Sequence, residues 1–301
     1  MYALKTNKLT KMYKDKVVVN NINLSVPRGS IYGFLGKNGA GKSTFINMVT
    51  GIIIPTSGEF NMYSSKDKIG VLPDYSSFYD NLTAIEHLNY FSHILGHKLS
   101  KEEMMNILNK VGLEKSNKIK VKNYSFGMKK KLGIAQALIN NPDIIFLDEP
   151  TSGVDPNSIL NIHNLIRKLS EEGKTIFLTS HNLDEVEKLC DTIAIMDNGK
   201  IIIEGKLEEV KMNYQNVIEV TYKIQSKNNH INDINELINN KLIKYASKIN
   251  YNKNTIILET TDNENIAKIN EILVNHNINV YGINVYEPTL EEIFINTGSK
   301  N

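Results

Sequence analysis

Eight consecutive residues have the types and spacing needed to grip a polyphosphate. Gly36-Lys37-Asn38-Gly39-Ala40-Gly41-Lys42-Ser43 fits the pattern G-x-x-x-x-G-K-[ST], and Thr44 follows. Backbone N–H groups must approach the phosphates closely, and a side chain at Gly39 or Gly41 would block that approach. A helix starting at Lys42 turns unpaired amides and the positive end of its dipole toward the anion. Lys42 then reaches the β- and γ-phosphates, and the Ser43 hydroxyl is a suitable oxygen ligand for Mg²⁺. The octapeptide alone can arise by chance. Its setting, an apolar run before it and a helix-forming stretch after it, argues for a nucleotide site.

A second cluster, Asp148-Glu149, ends the apolar run Ile144-Ile145-Phe146-Leu147. Ligands of open parallel sheets bind at the carboxyl ends of strands. Asp148 is then placed to hold Mg²⁺ through its water shell, and Glu149 to accept a proton from an attacking water. The bland alternative is that Asp-Glu-Pro merely opens a loop.

The elements that must position these groups are legible in the pattern. Asn20–Val26 alternates, with Ile22, Leu24 and Val26 on one side, as a half-buried strand does. Ile31–Leu35, Ile144–Leu147, Thr175–Leu178 and Thr192–Met196 are continuous apolar runs and predict buried strands. Helices are expected over 42–49, near 156–170 and over 182–189. Capping boxes at Thr83–Glu86 and Ser100–Glu103 start helices within a mostly helical region, about 83–140. Strand and helix alternate, so the sheet should be mainly parallel. The character changes near Lys211. Residues 212–301 carry a charge of −2 and the rest +4, and the tail predicts strands at Val217–Ile224, Thr255–Glu259 and Val280–Val285. Helices are predicted at 232–243, 264–275 and 289–296, the last opened by the capping box Thr289–Glu292. This reads as a domain at 1–211 followed by a small α+β domain at 212–301.

Composition excludes several function classes. A net charge of +2 over 301 residues gives no basic surface for nucleic acid. No apolar run exceeds five residues, whereas a membrane helix needs about 20, and the N-terminus lacks the apolar stretch of a signal peptide. The single cysteine, Cys190, forms no internal disulfide and reads as a buried small residue. A cytoplasmic protein is expected.

Five motifs in order give the stretch 3–210 a specific resemblance to ATP-binding cassette (ABC) ATPases. After Glu149 comes Pro150-Thr151-Ser152-Gly153-Val154-Asp155, which resembles the family's D-loop, and Thr179-Ser180-His181 resembles its switch histidine. Tyr13 matches the aromatic that stacks on adenine. Tyr124-Ser125-Phe126-Gly127-Met128 stands where the family signature Leu-Ser-Gly-Gly-Gln lies. It keeps the serine and second glycine and loses the first. Asp74, in Gly70-Val71-Leu72-Pro73-Asp74, replaces the usual Q-loop glutamine, and Lys37 the usual loop proline. A carboxylate at 74 still binds Mg²⁺ or its waters but cannot donate a hydrogen bond. The basic run Lys129–Lys131 is either a solvated helix face or phosphate-facing.

The resemblance implies a P-loop NTPase fold of the ABC type, with a mainly parallel sheet, an antiparallel β subdomain and a helical subdomain. It implies ATP and Mg²⁺ as ligands. Glu149, His181 and Lys42 would be catalytic, Ser43, Asp148 and Asp74 would lie at the metal, and Ser125, Gly127 and Asp155 at the nucleotide. It also implies a head-to-tail dimer, expected here as a homodimer, with Ser125-Phe126-Gly127 of one copy closing the partner's site. The chain would sit on the inner face of the cell membrane through a separate membrane-spanning permease, whose helix should dock near Asp74, Tyr75, Phe78 and Tyr79, although these aromatics read equally well as core. Tyr286–Phe294 resembles the closing motif of ATP-binding subunits for drug and bacitracin-type export and resistance. Two rival readings are a soluble ABC ATPase acting on ribosomes or DNA and a regulatory module with a degenerate site. One cassette per chain, 106 positions between Lys42 and Asp148 without a heptad array, and the near-neutral charge oppose the first. Retention of Lys42, Asp148, Glu149 and His181 opposes the second.

Overall fold

The long apolar and alternating runs of the first two hundred residues become two sheets and a helical layer. The computed structural model describes residues 1–74, 78–214, 218–226, 231–252, 254–286 and 288–298. Tyr75, Val217 and Glu287, named above, lie outside them. The chain divides into two compact units, Met1–Leu207 and Glu208–Asn301.

In the first unit the elements run β1 (Tyr2–Tyr13), β2 (Lys16–Pro27), β3 (Ile31–Leu35), α1 (Lys42–Val49), β4 (Ser57–Met62), β5 (Ile69–Leu72), α2 (Ala84–Ile94), α3 (Lys101–Lys110), α4 (Phe126–Ala137), β6 (Ile144–Asp148), α5 (Pro156–Glu171), β7 (Thr175–Ser180), α6 (Leu183–Leu189), β8 (Thr192–Asp197) and β9 (Lys200–Lys206). The second unit holds α7 (Leu207–Tyr214, entering from the first), β10 (Ile218–Ser226), α8 (Ile231–Asn240), β11 (Lys248–Asn252), β12 (Thr255–Thr260), α9 (Asn263–Asn275), β13 (Ile278–Val285) and α10 (Leu290–Gly298).

The central sheet has the order β5-β6-β7-β3-β8-β9. Its first five strands are parallel, and β9 pairs antiparallel at one edge. Every residue of β3, β6 and β7 is buried, which is why these strands read as unbroken apolar runs. Phe34, Phe45, Phe146 and Phe177 pack ring on ring between this sheet and α1, centroids 4.9–5.8 Å apart. Fully burying one such side chain contributes about 1.5–3 kcal/mol. The antiparallel sheet β2-β1-β4 lies over the same core. In β2, Ile22, Leu24 and Val26 are buried, as their alternation predicts.

The helical layer begins where the capping boxes place it. Thr83 and Ser100 each accept the amide of the glutamate three residues on, and each glutamate returns the bond. Helix α4 then presses on β5 at two glycines. A Cβ on Gly133 would lie 2.4 Å from Leu72 Cδ1, and one on Gly70 would lie 2.4 Å from the Ala137 carbonyl oxygen. Only glycine permits that approach, and it draws the start of α4 over the carboxyl ends of β5 and β6.

In the second unit, β11-β12-β10-β13 form an antiparallel sheet. Its core gathers Val220, Tyr222 and Ile224 from the sheet with Leu237 of α8 and Ile269 and Leu273 of α9. Thr289 and Glu292 form the expected capping box at α10.

Candidate functional site

Four neighbouring strands end at one level. Leu72 of β5 pairs with Leu147 of β6, Leu147 with Leu178 of β7, and Leu35 of β3 with Ser180. The residues just beyond, Asp74, Asp148–Glu149, His181 and Gly36, therefore share one edge of the sheet. The phosphate loop connects β3 to α1. Gly41 caps α1 with φ 112° and no side-chain hydrogen bond, and a Cβ there would lie 2.5 Å from the Val18 carbonyl oxygen. Gly39 has φ 82°, and a Cβ on it would meet nothing within 4 Å. The loop is thus closed on its protein side and open on the other. Helix geometry leaves the amides of Lys42, Ser43 and Thr44 without intrahelical partners. Ser43, Lys37, Asn38 and Gly39 are exposed, whereas Ala40 is buried. This cradle fits an anionic nucleotide.

Lys42 is buried, and its ammonium is folded onto its own loop, donating to the Gly36 carbonyl at 2.6 Å. It lies 3.5 Å from Glu149 Oε1. Glu149 Oε2 accepts from His181 Nδ1 at 2.8 Å. A carboxylate oxygen only accepts, so Nδ1 carries the hydrogen. Glu149 Oε1 is buried and has no hydrogen-bond partner. A water donor suits that acceptor. The backbone of Glu149 has φ 50°, a region uncommon for residues other than glycine. Two bonds hold it there. Its amide donates to Thr179 Oγ1 at 3.0 Å, and its carbonyl accepts from Lys130 Nζ at 2.8 Å. Thr179 also donates its hydroxyl to Asp148 Oδ1, fixing that carboxylate. Among the described residues no group of three His, Cys, Asp or Glu is arranged to hold a metal. The available donor set of one hydroxyl and one carboxylate, Ser43 and Asp148, suits a hard cation that takes its other oxygens from phosphate and water.

The remaining predicted residues fall in different places. Tyr13 pairs with Lys16 at the tip of the β1–β2 hairpin, and Val18, two residues after Lys16, meets the phosphate loop at Gly41. Its ring is 44% exposed, with the Lys11 ammonium 5.1 Å from its centroid. Ser125 caps α4 through the Met128 amide, and Gly127 packs on Ser158 of α5. Asp155 caps α5, accepting from the Ser158 amide at 3.0 Å, and the Ser158 side chain first, then that amide, hold its carboxyl below the ordinary range. Phe126 is 56% exposed and rests on Gly153 of the D-loop, where a Cβ would lie 3.1 Å from the ring. Cys190 is buried and free, and burial pushes its thiol well above the usual range.

Three contributors were not foreseen. Lys130 is not on a solvated face: it is 5% exposed and turned inward. In the sequence Thr179 carries no signal beyond its place at a strand end. Beneath the D-loop and the switch strand, Glu185 accepts from Thr151 at 2.6 Å and Ser180 at 3.0 Å, and pairs with His163 Nε2 at 2.7 Å. Burial alone would raise the Glu185 carboxyl, but these three partners outweigh it and leave it below the usual range. A Ser beside a switch histidine, with a Glu four residues on from it, is the one sequence signal that could have found this network.

A nucleotide cradle, a paired-acid strand end and a histidine on the next strand, all at the edge of a five-strand parallel array, define an ABC-type ATPase. The "ABC transporter" family matches residues 19–152, and the "ATP-binding protein DrrA1-3-like, C-terminal domain" family matches residues 205–297. The bacitracin transport ATP-binding protein BcrA of Bacillus licheniformis is 36% identical over 310 residues, covering 97% of this chain and 96% of the relative. The lantibiotic transport ATP-binding protein SrtF of Streptococcus pyogenes is 42% identical over 211 residues, 68% of this chain and 91% of the relative. Among solved structures, a dimeric ATP-binding cassette in a post-hydrolysis state bound to ADP and Pi matches with TM-score 0.61 at 27% identity, covering 68% of this chain and 98% of that one. The chain belongs to the ATP-binding subunits of ABC transporters and is an ATPase. No helix among the described residues is long and apolar enough to cross a membrane.

Proposed function

We propose that this chain drives export of an antimicrobial peptide or similar compound by closing as a homodimer around two ATP molecules. The observation that carries the catalytic part is the convergence of Lys42 and His181 on buried Glu149, whose Oε1 lacks a donor. On this reading the loop amides and Lys42 bind the β- and γ-phosphates, and Tyr13 stacks on adenine. Ser43 and Asp148, with Asp74 at the water shell, would hold Mg²⁺, which offsets charge on the phosphate oxygens. Glu149 Oε1 takes a proton from water as the water oxygen bonds to the γ-phosphorus and the bond to the β–γ bridging oxygen breaks. His181 orients Glu149 through its Nδ1–H. Ser125 and Gly127, at the start of α4, face the partner's nucleotide, with Asp155 beside them. Differential affinity of ATP for closed and open dimers performs the work on the permease. The permease helix docks beside Asp74, Phe78 and Tyr79, where Tyr79 stacks edge-on with Tyr90 at 4.9 Å.

The export reading rests on the bacitracin and lantibiotic relatives. Its test is growth of cells producing the chain with its permease in bacitracin and in lantibiotics. Protection by the wild-type chain and none by Glu149→Gln is expected. Equal sensitivity of the two to all these peptides would overturn the substrate class.

A further inference from the structure

Helix α4 carries a lysine where a charged side chain is costly. Lys130 and Gly133 are three residues apart and so share one helix face. The close packing of Gly133 on Leu72 and of Ala137 on Gly70 presses that face onto β5. The Lys130 ammonium is thereby carried to the ends of β5 and β6. It donates to the Glu149 carbonyl at 2.8 Å and to the Asp74 carbonyl at 3.3 Å, and lies 3.8 Å from Asp74 Oδ1. The Phe126 ring shields it, centroid 6.0 Å away. Burial works against its charge, and Asp74, Asp148 and Glu149 work for it. An unpaired buried charge is not tolerated, so these partners account for its retention.

We propose that Lys130 is a positioning residue for ATP hydrolysis, clamping the backbone of Glu149 and the loop at Asp74 as one body so that movement of that loop sets the reach of the Glu149 carboxylate. This rests on Glu149 as the general base. The left-handed backbone at Glu149 makes the clamp consequential, because φ 50° is not where a glutamate rests unaided. The Lys130 ammonium is spent on the carbonyl oxygens of Glu149 and Asp74 and on the Asp74 carboxylate. Its loss therefore acts on the rate at saturating ATP and not on ATP affinity. Its place in α4, five residues after Ser125, also joins the surface that faces a partner's nucleotide to the base of its own site.

The test measures phosphate release and ATP binding with the full chain for Lys130→Met, Lys130→Arg and Glu149→Gln. Lys130→Met should lower kcat at least tenfold with KM and ATP affinity within about threefold. Lys130→Arg, which keeps charge and donors, should recover most of that loss. If Lys130→Met does not fold, Lys130→Gln is read in its place against the same limits. A kcat within twofold of wild type, a parallel loss of ATP affinity, or no recovery by arginine in a folded protein overturns the proposal. Glu149→Gln separates the two layers. Normal turnover there removes the base and the clamp together, whereas an inactive Glu149→Gln beside a normal Lys130→Met removes the clamp alone.

Discussion

Replacing Glu149 by glutamine tests the site at its centre. The amide keeps the size and can still accept from His181 Nδ1, now 2.8 Å away, but it takes no proton from water at neutral pH. General-base groups contribute about 10²–10⁴-fold. Turnover should therefore fall at least a hundredfold, about 2.7 kcal/mol or more on the barrier. Binding responds differently. Lys42 lies 3.5 Å from Glu149 Oε1, a gross attraction of about 5 kcal/mol at an effective dielectric near 20, and it must turn from Glu149 to reach phosphate. Most of that attraction is offset by its bond to Gly36 and by desolvation. A gain in ATP affinity of up to about tenfold, or 1.4 kcal/mol, is expected. ATP then persists, and the dimer should accumulate with ATP and Mg²⁺ but not with ADP, as read by size-exclusion chromatography with light scattering beside a phosphate-release assay. Lys42→Ala should weaken binding and give no such dimer. Normal turnover in Glu149→Gln refutes the reasoning about the base. Lost turnover without an ATP-dependent dimer refutes homodimer closure for this chain alone.

Asp74→Ala should leave ATP affinity, measured by titration, within about tenfold, while turnover stimulated by the permease falls much further; equal loss of both would make Asp74 a direct metal ligand. A chain ending after Lys211 should still bind ATP, because every nucleotide motif precedes residue 182; a folded truncation that has lost binding would break the proposed domain division. Glu185→Gln should lower the unfolding midpoint at pH 7, since it weakens a buried carboxylate with three partners. The folded Glu185 carboxyl lies below its ordinary value near 4.3. Its stabilising contribution is thus fully present above about pH 4.3 and lost as pH falls through the lower folded value. The gap between variant and wild type in thermal melts should close on acidification, and a gap that widens there would refute the linkage.

Four of the five parallel strands were legible because burial on both faces removes alternation, leaving runs such as Ile144–Leu147 that need no partner to be recognised, whereas β5, half-buried at the sheet edge, was not. The three capping boxes were legible because the interaction is local. Strands β1, β4, β9 and β11 gave weaker signals. Lys5, Lys8 and Lys11 break the apolar pattern of β1, Gly58 and Glu59 that of β4, and the exposed alternate positions of β11 are polar. Their pairing is decided by neighbours distant in sequence. The phosphate loop, Asp148, Glu149 and His181 were readable as types at strand ends. Lys130 was not, since a lysine in a run of three reads equally as solvated or phosphate-facing until tertiary packing at Gly133 and Gly70 turns it inward. Thr179 was hidden for a similar reason: its role depends on the register that sets it beside Asp148.

Cys190 has a practical consequence. It is the chain's single thiol, 6% exposed and held protonated by burial, and the thiolate is the form that reacts with maleimides and spin labels. The wild-type chain is therefore already a nearly silent background for site-directed labelling. A cysteine introduced at an exposed position such as Met12 or Leu160 would carry essentially all of the probe. Distances between two such probes in a pair of chains could then follow nucleotide-driven closure without first rebuilding the core around a replaced residue.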